Sequence, residues 1–179
     1  MKKVILGLDV STSKVGVAIL DPNTDLIDCQ VIKLNSKDVL EDRCFQIERY
    51  LQINYNQYFI TNIYIEAPFI MFSGGKTTAM TMAKLQRFNG MVSWMVRNLY
   101  GGAAVSIAAN KARGLVGLKI KRGEKAKLKV IEWAQSQYPK DFIVEYTRYG
   151  NPKPGTDDKA DSIVIARAGL IMEKINESG

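Results

Sequence analysis

The sequence predicts a mixed α/β fold: a five-stranded sheet that opens as an antiparallel meander, continues with parallel strands and is flanked by helices. Two observations predict it. Apolar, β-branched runs come first and close together, then alternate with segments of helical period. Acidic residues stand at the ends of two of those runs and at the start of the last helical segment, so the fold would gather carboxylates along one sheet edge. A length of 179 residues with 46% hydrophobic content suits one domain with a sizeable core, since a domain takes ~100 to 200 residues. We therefore expect a single domain over residues 1–179.

The elements follow in order. Residues 3–8 (KVILGL) and 14–20 (KVGVAIL) are strands joined across a small Ser/Thr segment, and DPNTD supplies the next turn. Residues 26–34 (LIDCQVIKL) alternate in character and complete the meander. From Ser36 the spacing of Val39, Leu40, Cys44, Ile47, Tyr50 and Leu51 predicts a helix, with Ser36 and Asp38 as capping residues. Residues 60–67 (ITNIYIEA) form the fourth strand. Pro68 ends it, and FIMFSGGK over 69–76 reads as an exposed connection. Thr77 to Leu99 is a long helix whose apolar surface (Met80, Ala83, Leu85, Phe88, Met91, Val92, Met95, Leu99) is broader than one core-facing stripe. It is either a fully buried helix or one that shares a dimer interface. Residues 103–108 (AAVSIA) are the fifth strand, Lys125–Tyr138 and Lys159–Ile175 are helices, and 148–155 (RYGNPKPG) is a loop by its Pro and Gly content.

Composition excludes several chemistries. There is no histidine, so His-based triads and His-ligated zinc are excluded, leaving carboxylates, lysines and metal-bound water as candidate proton handlers. Cys29 and Cys44 lack metal spacing and are expected to be reduced core residues. No apolar run reaches the ~18 residues of a membrane span, and Asp9 interrupts MKKVILGLDV before it resembles a signal peptide. The expected location is the cytoplasm, with no membrane partner. The net charge is +7, and residues 111–129 (KARGLVGLKIKRGEKAKLK) hold eight of the 25 basic residues against one acid, Glu124. Such a cluster on an otherwise balanced chain is the footprint of a polyanion partner, most often nucleic acid; a solvated face is the plainer alternative.

Asp9, Glu66, Asp158 and Asp161 carry the chemistry. Asp9 and Glu66 end buried-looking strands, and Asp158 with Asp161 opens an apolar helix at a spacing that puts both on one face. Asp157, four residues before Asp161, can take the place of Asp158. Each acid alone has an ordinary reading: a turn residue at Asp9, a lysine-paired strand end at Glu66, a helix N-terminal acid at 158 or 161. Together they point to a divalent cation, because ionised carboxylates are costly at such positions unless compensated, and hard oxygen ligands are what Mg²⁺ or Mn²⁺ requires.

The arrangement resembles the RuvC-like Holliday junction resolvases of the RNase H-like superfamily. The resemblance runs through GLDVSTSKVGVAIL, IYIEAPF, ANKARGLVG, GEKAKLKV and DDKADSIVIARA, in that order. It implies an RNase H-like fold and a homodimer that cuts four-way junctions and other branched DNA with two Mg²⁺ ions, Mn²⁺ substituting. Such ions lie roughly 3.5 to 4 Å apart, one activating water and the other stabilising the leaving oxygen. By the resemblance Asp9 bridges the ions, Glu66 and Asp158 bind separate ions, Asp161 is the remaining ligand or orients water, and Lys127 neutralises the scissile phosphate. Phe69, three positions after Glu66, corresponds to the aromatic residue inserted at the junction centre. Lys111, Arg113, Lys119, Lys121, Arg122, Lys125 and Lys127 are the expected DNA contacts. Pro68 and SGGK depart from the cellular form, and the basic segment is enriched, as in a phage or divergent member; the compartment would then be the host cytoplasm.

Two rivals compete. The first block also resembles the phosphate-binding hairpin of actin-like sugar kinases and ATPases, but no second Gly-rich hairpin follows, and SGGKTT lacks the first glycine of a P-loop. The other is a branched-DNA-binding protein without turnover, against which the full set of acids argues.

Overall fold

The computed structural model describes residues 1–68 and 79–177. These form one five-stranded sheet in the order β3-β2-β1-β4-β5 and five helices. Strands β1 (Lys2–Val10), β2 (Lys14–Leu20) and β3 (Leu26–Lys33) are the antiparallel meander, and β4 (Tyr58–Glu66) and β5 (Val105–Ile107) continue it in parallel with β1. The mixed sheet predicted from the sequence is therefore present, with β5 shorter than expected.

Period-two alternation sorts the side chains between two layers. Val4, Leu6, Leu8 and Val10 of β1, Val15, Val17 and Ile19 of β2, and Ile63 and Ile65 of β4 pack with α1 (Leu40–Tyr55) and α2 (Ala79–Tyr100). Ile5, Ala18, Leu20 and Tyr64 face the other way, toward α4 (Ala126–Gln137) and α5 (Thr156–Glu177). Asp9, Lys14, Gly16 and Glu66 continue this second set in the alternation.

Two glycines let α5 lie directly on the sheet. A Cβ on Gly7 would stand 2.4 Å from the Ser162 carbonyl oxygen, and one on Gly16 would stand 2.0 Å from that of Asp158. Any side chain at either position would push the helix off. Gly16 is also the cross-strand partner of Asp9. The same contact thus sets the start of α5 beside the end of β1.

Several local expectations change. Helix α1 starts at Leu40, and its N-cap Val39 makes no side-chain capping bond. Ser36 and Asp38 serve another purpose: buried Arg43 donates to the carbonyls of Asp38 (3.0 Å), Thr12 (2.6 Å) and Ser36 (2.6 Å), and Gln46 donates to the Asp38 carboxylate at 2.6 Å. Helix α2 is amphipathic, burying Phe88, Val92, Met95 and Val96 while Trp94 is 68% exposed. A short helix, α3 (Ala109–Leu115), stands where only a basic stretch was expected. Cys29 and Cys44 are buried and unpaired, and burial pushes both thiols up to about 11. Among the described residues no helix is long and apolar enough to cross a membrane.

Candidate active site

The carboxyl ends of β1 and β4 lie side by side, Leu8 pairing with Ile65, so the next residues, Asp9 and Glu66, stand together at the sheet edge. Helix α5 begins three residues earlier than predicted, at Thr156, which places Asp157, Asp158 and Asp161 in its first two turns. A cleft of about 330 Å³ is lined by Asp9, Glu66, Asp157, Asp158 and Asp161, with Lys14, Lys127 and Pro68 on its walls. All four acids singled out in the sequence meet there, and Asp157 joins them. Phe69 lies outside the described residues.

Basic side chains hold three of the five acids. Lys14 pairs with Asp158 and stands 4.0 Å from Asp157. Lys127 pairs with Asp157, and Arg113 bonds Asp161 at 3.2 Å. Among the described residues no side chain donates to Asp9 or Glu66; the Glu66 carbonyl accepts from buried Asn89 at 3.0 Å, which fixes the strand end. Lys127 was expected on phosphate and Arg113 on DNA; both face acids. Lys14 escaped sequence reasoning. Its signal was the alternation that carries positions 14, 16, 18 and 20 to the α5 face.

The electrostatics follow from burial and crowding. Burial, then the charges of Glu66, Asp161, Asp158 and Asp157, raises Asp9 well above the usual carboxylate range. Burial and then Asp161 hold Glu66 up to about 7, against the opposing pull of Arg113. Asp161 and Asp158 are also raised by burial, moderated by Arg113 and Lys14 respectively. Asp157 differs: burial raises it, but the Lys127 hydrogen bond and the charges of Lys127 and Lys14 outweigh that and bring it below its ordinary value.

The donor set suits a hard divalent cation, being all carboxylate oxygen from three elements. Among the described residues no three acids form a group that could hold an ion as they stand, and three of the five are paired to basic side chains.

Two further concavities share lining residues with the cleft. An adjoining cavity of about 400 Å³ is lined by Glu66, Pro68, Ala108 and Asn110 at the start of α3, and Arg113 in its last turn. A depression between α4 and residues 152–154 shares Lys127 and Asp157 with the cleft. Leu115, Val116 and Leu118 anchor the segment between α3 and α4 to the core. Lys119, Lys121, Arg122 and Lys125 stay exposed along it, as does Lys111 on α3. Of the basic residues expected to contact DNA, Lys127 lines the acidic cleft and Arg113 bonds one of its acids.

A sheet of this order with an acid-bearing helix laid across its meander defines the RNase H-like fold in its RuvC form. RuvC from Thermus thermophilus in complex with a Holliday junction substrate superposes with a TM-score of 0.66 at 13% identity, over 97% of this chain and 96% of that one. A second structure of Thermus thermophilus RuvC gives 0.64 at 15% identity, over the same shares. The Fowlpox virus resolvase, solved with its Holliday junction DNA, gives 0.52 at 14% identity, over 96% of this chain and 98% of that one. No protein-family profile matches the sequence, and no curated protein does. The likeness is one of fold.

Proposed function

We propose that the protein is a Mg²⁺-dependent endonuclease, built as one nuclease domain, that hydrolyses phosphodiesters in four-way junctions and other branched DNA. The convergence of Asp9, Glu66, Asp158 and Asp161 from three elements into one cleft, on a fold whose solved examples include two bound to Holliday junctions, is the observation that supports it. Asp9 and Glu66 would hold the ions together with Asp158 and Asp161. Bound there, two divalent ions supply activation of the attacking water and stabilisation of the leaving oxygen. The residues of this chain do the rest: the basic segment 111–125 draws in and orients phosphates, and Lys127 at the cleft mouth turns from Asp157 to the scissile strand.

We place the second copy of a homodimer on the groove between α1 and α2. That groove measures about 640 Å³ and is walled by Phe45, Met91, Trp94 and Met95, with Phe45 62% exposed. Two opposed strands of a junction call for two sites related by a two-fold axis.

Labelled four-way junction, fork and linear duplex, incubated with and without Mg²⁺, test the function. Cleavage of branched DNA only with Mg²⁺ is the expected result. Junction binding with no cleavage under any divalent ion would favour a branched-DNA-binding protein instead.

A further inference from the structure

Lys14 is held more deliberately than a surface lysine needs to be. The Ser11 amide donates to the Lys14 carbonyl at 3.0 Å, the Ser11 hydroxyl donates to the same carbonyl at 2.9 Å, and the Lys14 amide donates back to that hydroxyl at 3.2 Å. The turn that follows Asp9 therefore fixes the start of β2. Strand alternation then aims the Lys14 side chain at α5, where its ammonium pairs with Asp158 and reaches Asp157 at 4.0 Å. Asp157 has a second cation in Lys127. Asp158, 8% exposed and backed by Gly16, has Lys14 as its one ion-pair partner among the described residues.

The three cations at the acids differ in their freedom to leave. Arg113 is confined, its side chain 20% exposed and its Nε buried with no hydrogen-bond partner among the described residues. Lys127 is 74% exposed, so its pair is screened by water. Lys14 lies between them at 32% exposure, on a flexible four-carbon stem whose ammonium is a compact point charge. An oxygen engaged by that ammonium is not free for a metal ion, and two cations competing for one carboxylate repel each other.

We propose that Lys14 is a built-in counter-ion for Asp158, which it neutralises in the metal-free protein and surrenders when a divalent cation enters the cleft. The proposal rests on the metal-dependent reading of this site. Lys14 is then a positioning residue: it keeps Asp158 buried and poised, and sets a threshold that the metal must exceed.

Thermal melts in EDTA and in saturating Mn²⁺, with Mn²⁺ titration calorimetry in the absence of DNA, test this on wild type, Lys14→Met and Lys14→Arg. Lys14→Met should melt lower than wild type in EDTA, and saturating Mn²⁺ should remove most of the gap. Its Mn²⁺ affinity should be about three- to tenfold tighter, the size expected when a competing, partly buried ion pair is deleted. Lys14→Arg should recover the EDTA melt and bind Mn²⁺ no more tightly than wild type. Should Lys14→Met not fold, Lys14→Gln takes its place in both measurements. An equal melting deficit with and without Mn²⁺, or an affinity unchanged or weakened, overturns the proposal and leaves the metal site standing. A wild type that takes up no Mn²⁺ removes the metal site itself.

Discussion

Glu66→Gln should make the metal-free protein more stable while ending its cleavage of branched DNA. Glu66 is held up to about 7 from an ordinary value of 4.5 by burial and by Asp161. Each unit is worth about 1.4 kcal/mol, so forcing the charge at pH 8 costs roughly 3 kcal/mol before allowance for the open cleft, and about 1 to 2 kcal/mol after it. Glutamine keeps the shape and removes the charge. The sign follows from proton binding: the folded state holds this proton to higher pH than the unfolded chain. Wild type therefore loses stability as pH rises from about 4.5 to about 7. In EDTA at pH 8 the variant should melt about 2 to 8 °C higher, given 2–4 °C per kcal/mol for a chain of this size. At pH 4.5 the two proteins should coincide. Circular dichroism melts at both pH values measure this directly. A variant no more stable than wild type at pH 8, or a gap that persists at pH 4.5, refutes the account of Glu66 as a charge held against repulsion.

Asp9→Asn and Asp161→Asn should each abolish Mg²⁺-dependent junction cleavage while leaving junction binding in EDTA intact, as read by gel shift beside a cleavage assay; near-wild-type cutting by Asp9→Asn would remove the proposed function. Neutralising Lys119, Lys121 and Arg122 together should flatten the dependence of log K on log salt by about 0.9 for each duplex phosphate they cease to neutralise, and an unchanged slope returns them to a solvated face. Gly16→Ala, whose Cβ would meet the Asp158 carbonyl oxygen at 2.0 Å, should cost about 1 to 3 kcal/mol of stability in denaturant titrations and disable cleavage together with it. Trp94→Glu should convert a dimer to a monomer by light scattering; a monomeric wild type would show that the α1/α2 groove has another use.

The sheet and the carboxylates were legible because both rest on short-range regularities. The apolar, β-branched runs in KVILGLDV and NIYIEAPF predict strands that end in acids, and the strand period then puts Asp9 and Glu66 on the α5 face. What escaped depends on contacts between distant segments. Ser36 and Asp38 have capping chemistry, yet Arg43 and Gln46 claim them, a choice that only the packed fold decides. Helix α3 has seven residues and buries only Ala112, too short a stretch to show a period. The start of α5 was set too late because Pro- and Gly-rich sequence runs up to Thr156. Lys14 looked like any strand-leading lysine until α5 was laid across it, and the ion pairs of Lys127 and Arg113 likewise join residues at least 30 positions apart. The role expected of Phe69 falls outside the described residues.

The buried guanidinium of Arg43 carries a lesson for genetics. It ties the carbonyl of Thr12, in the loop between the acid of β1 and the lysine of β2, to the chain just before α1. No part of it lines the acidic cleft, and a lysine, with its single nitrogen, lacks the planar fork that reaches three carbonyls at once. In a random library screened for lost cleavage, position 43 would be recovered alongside the acids themselves. A map of such hits drawn without the fold would extend the proposed site to a helix on the opposite layer of the molecule.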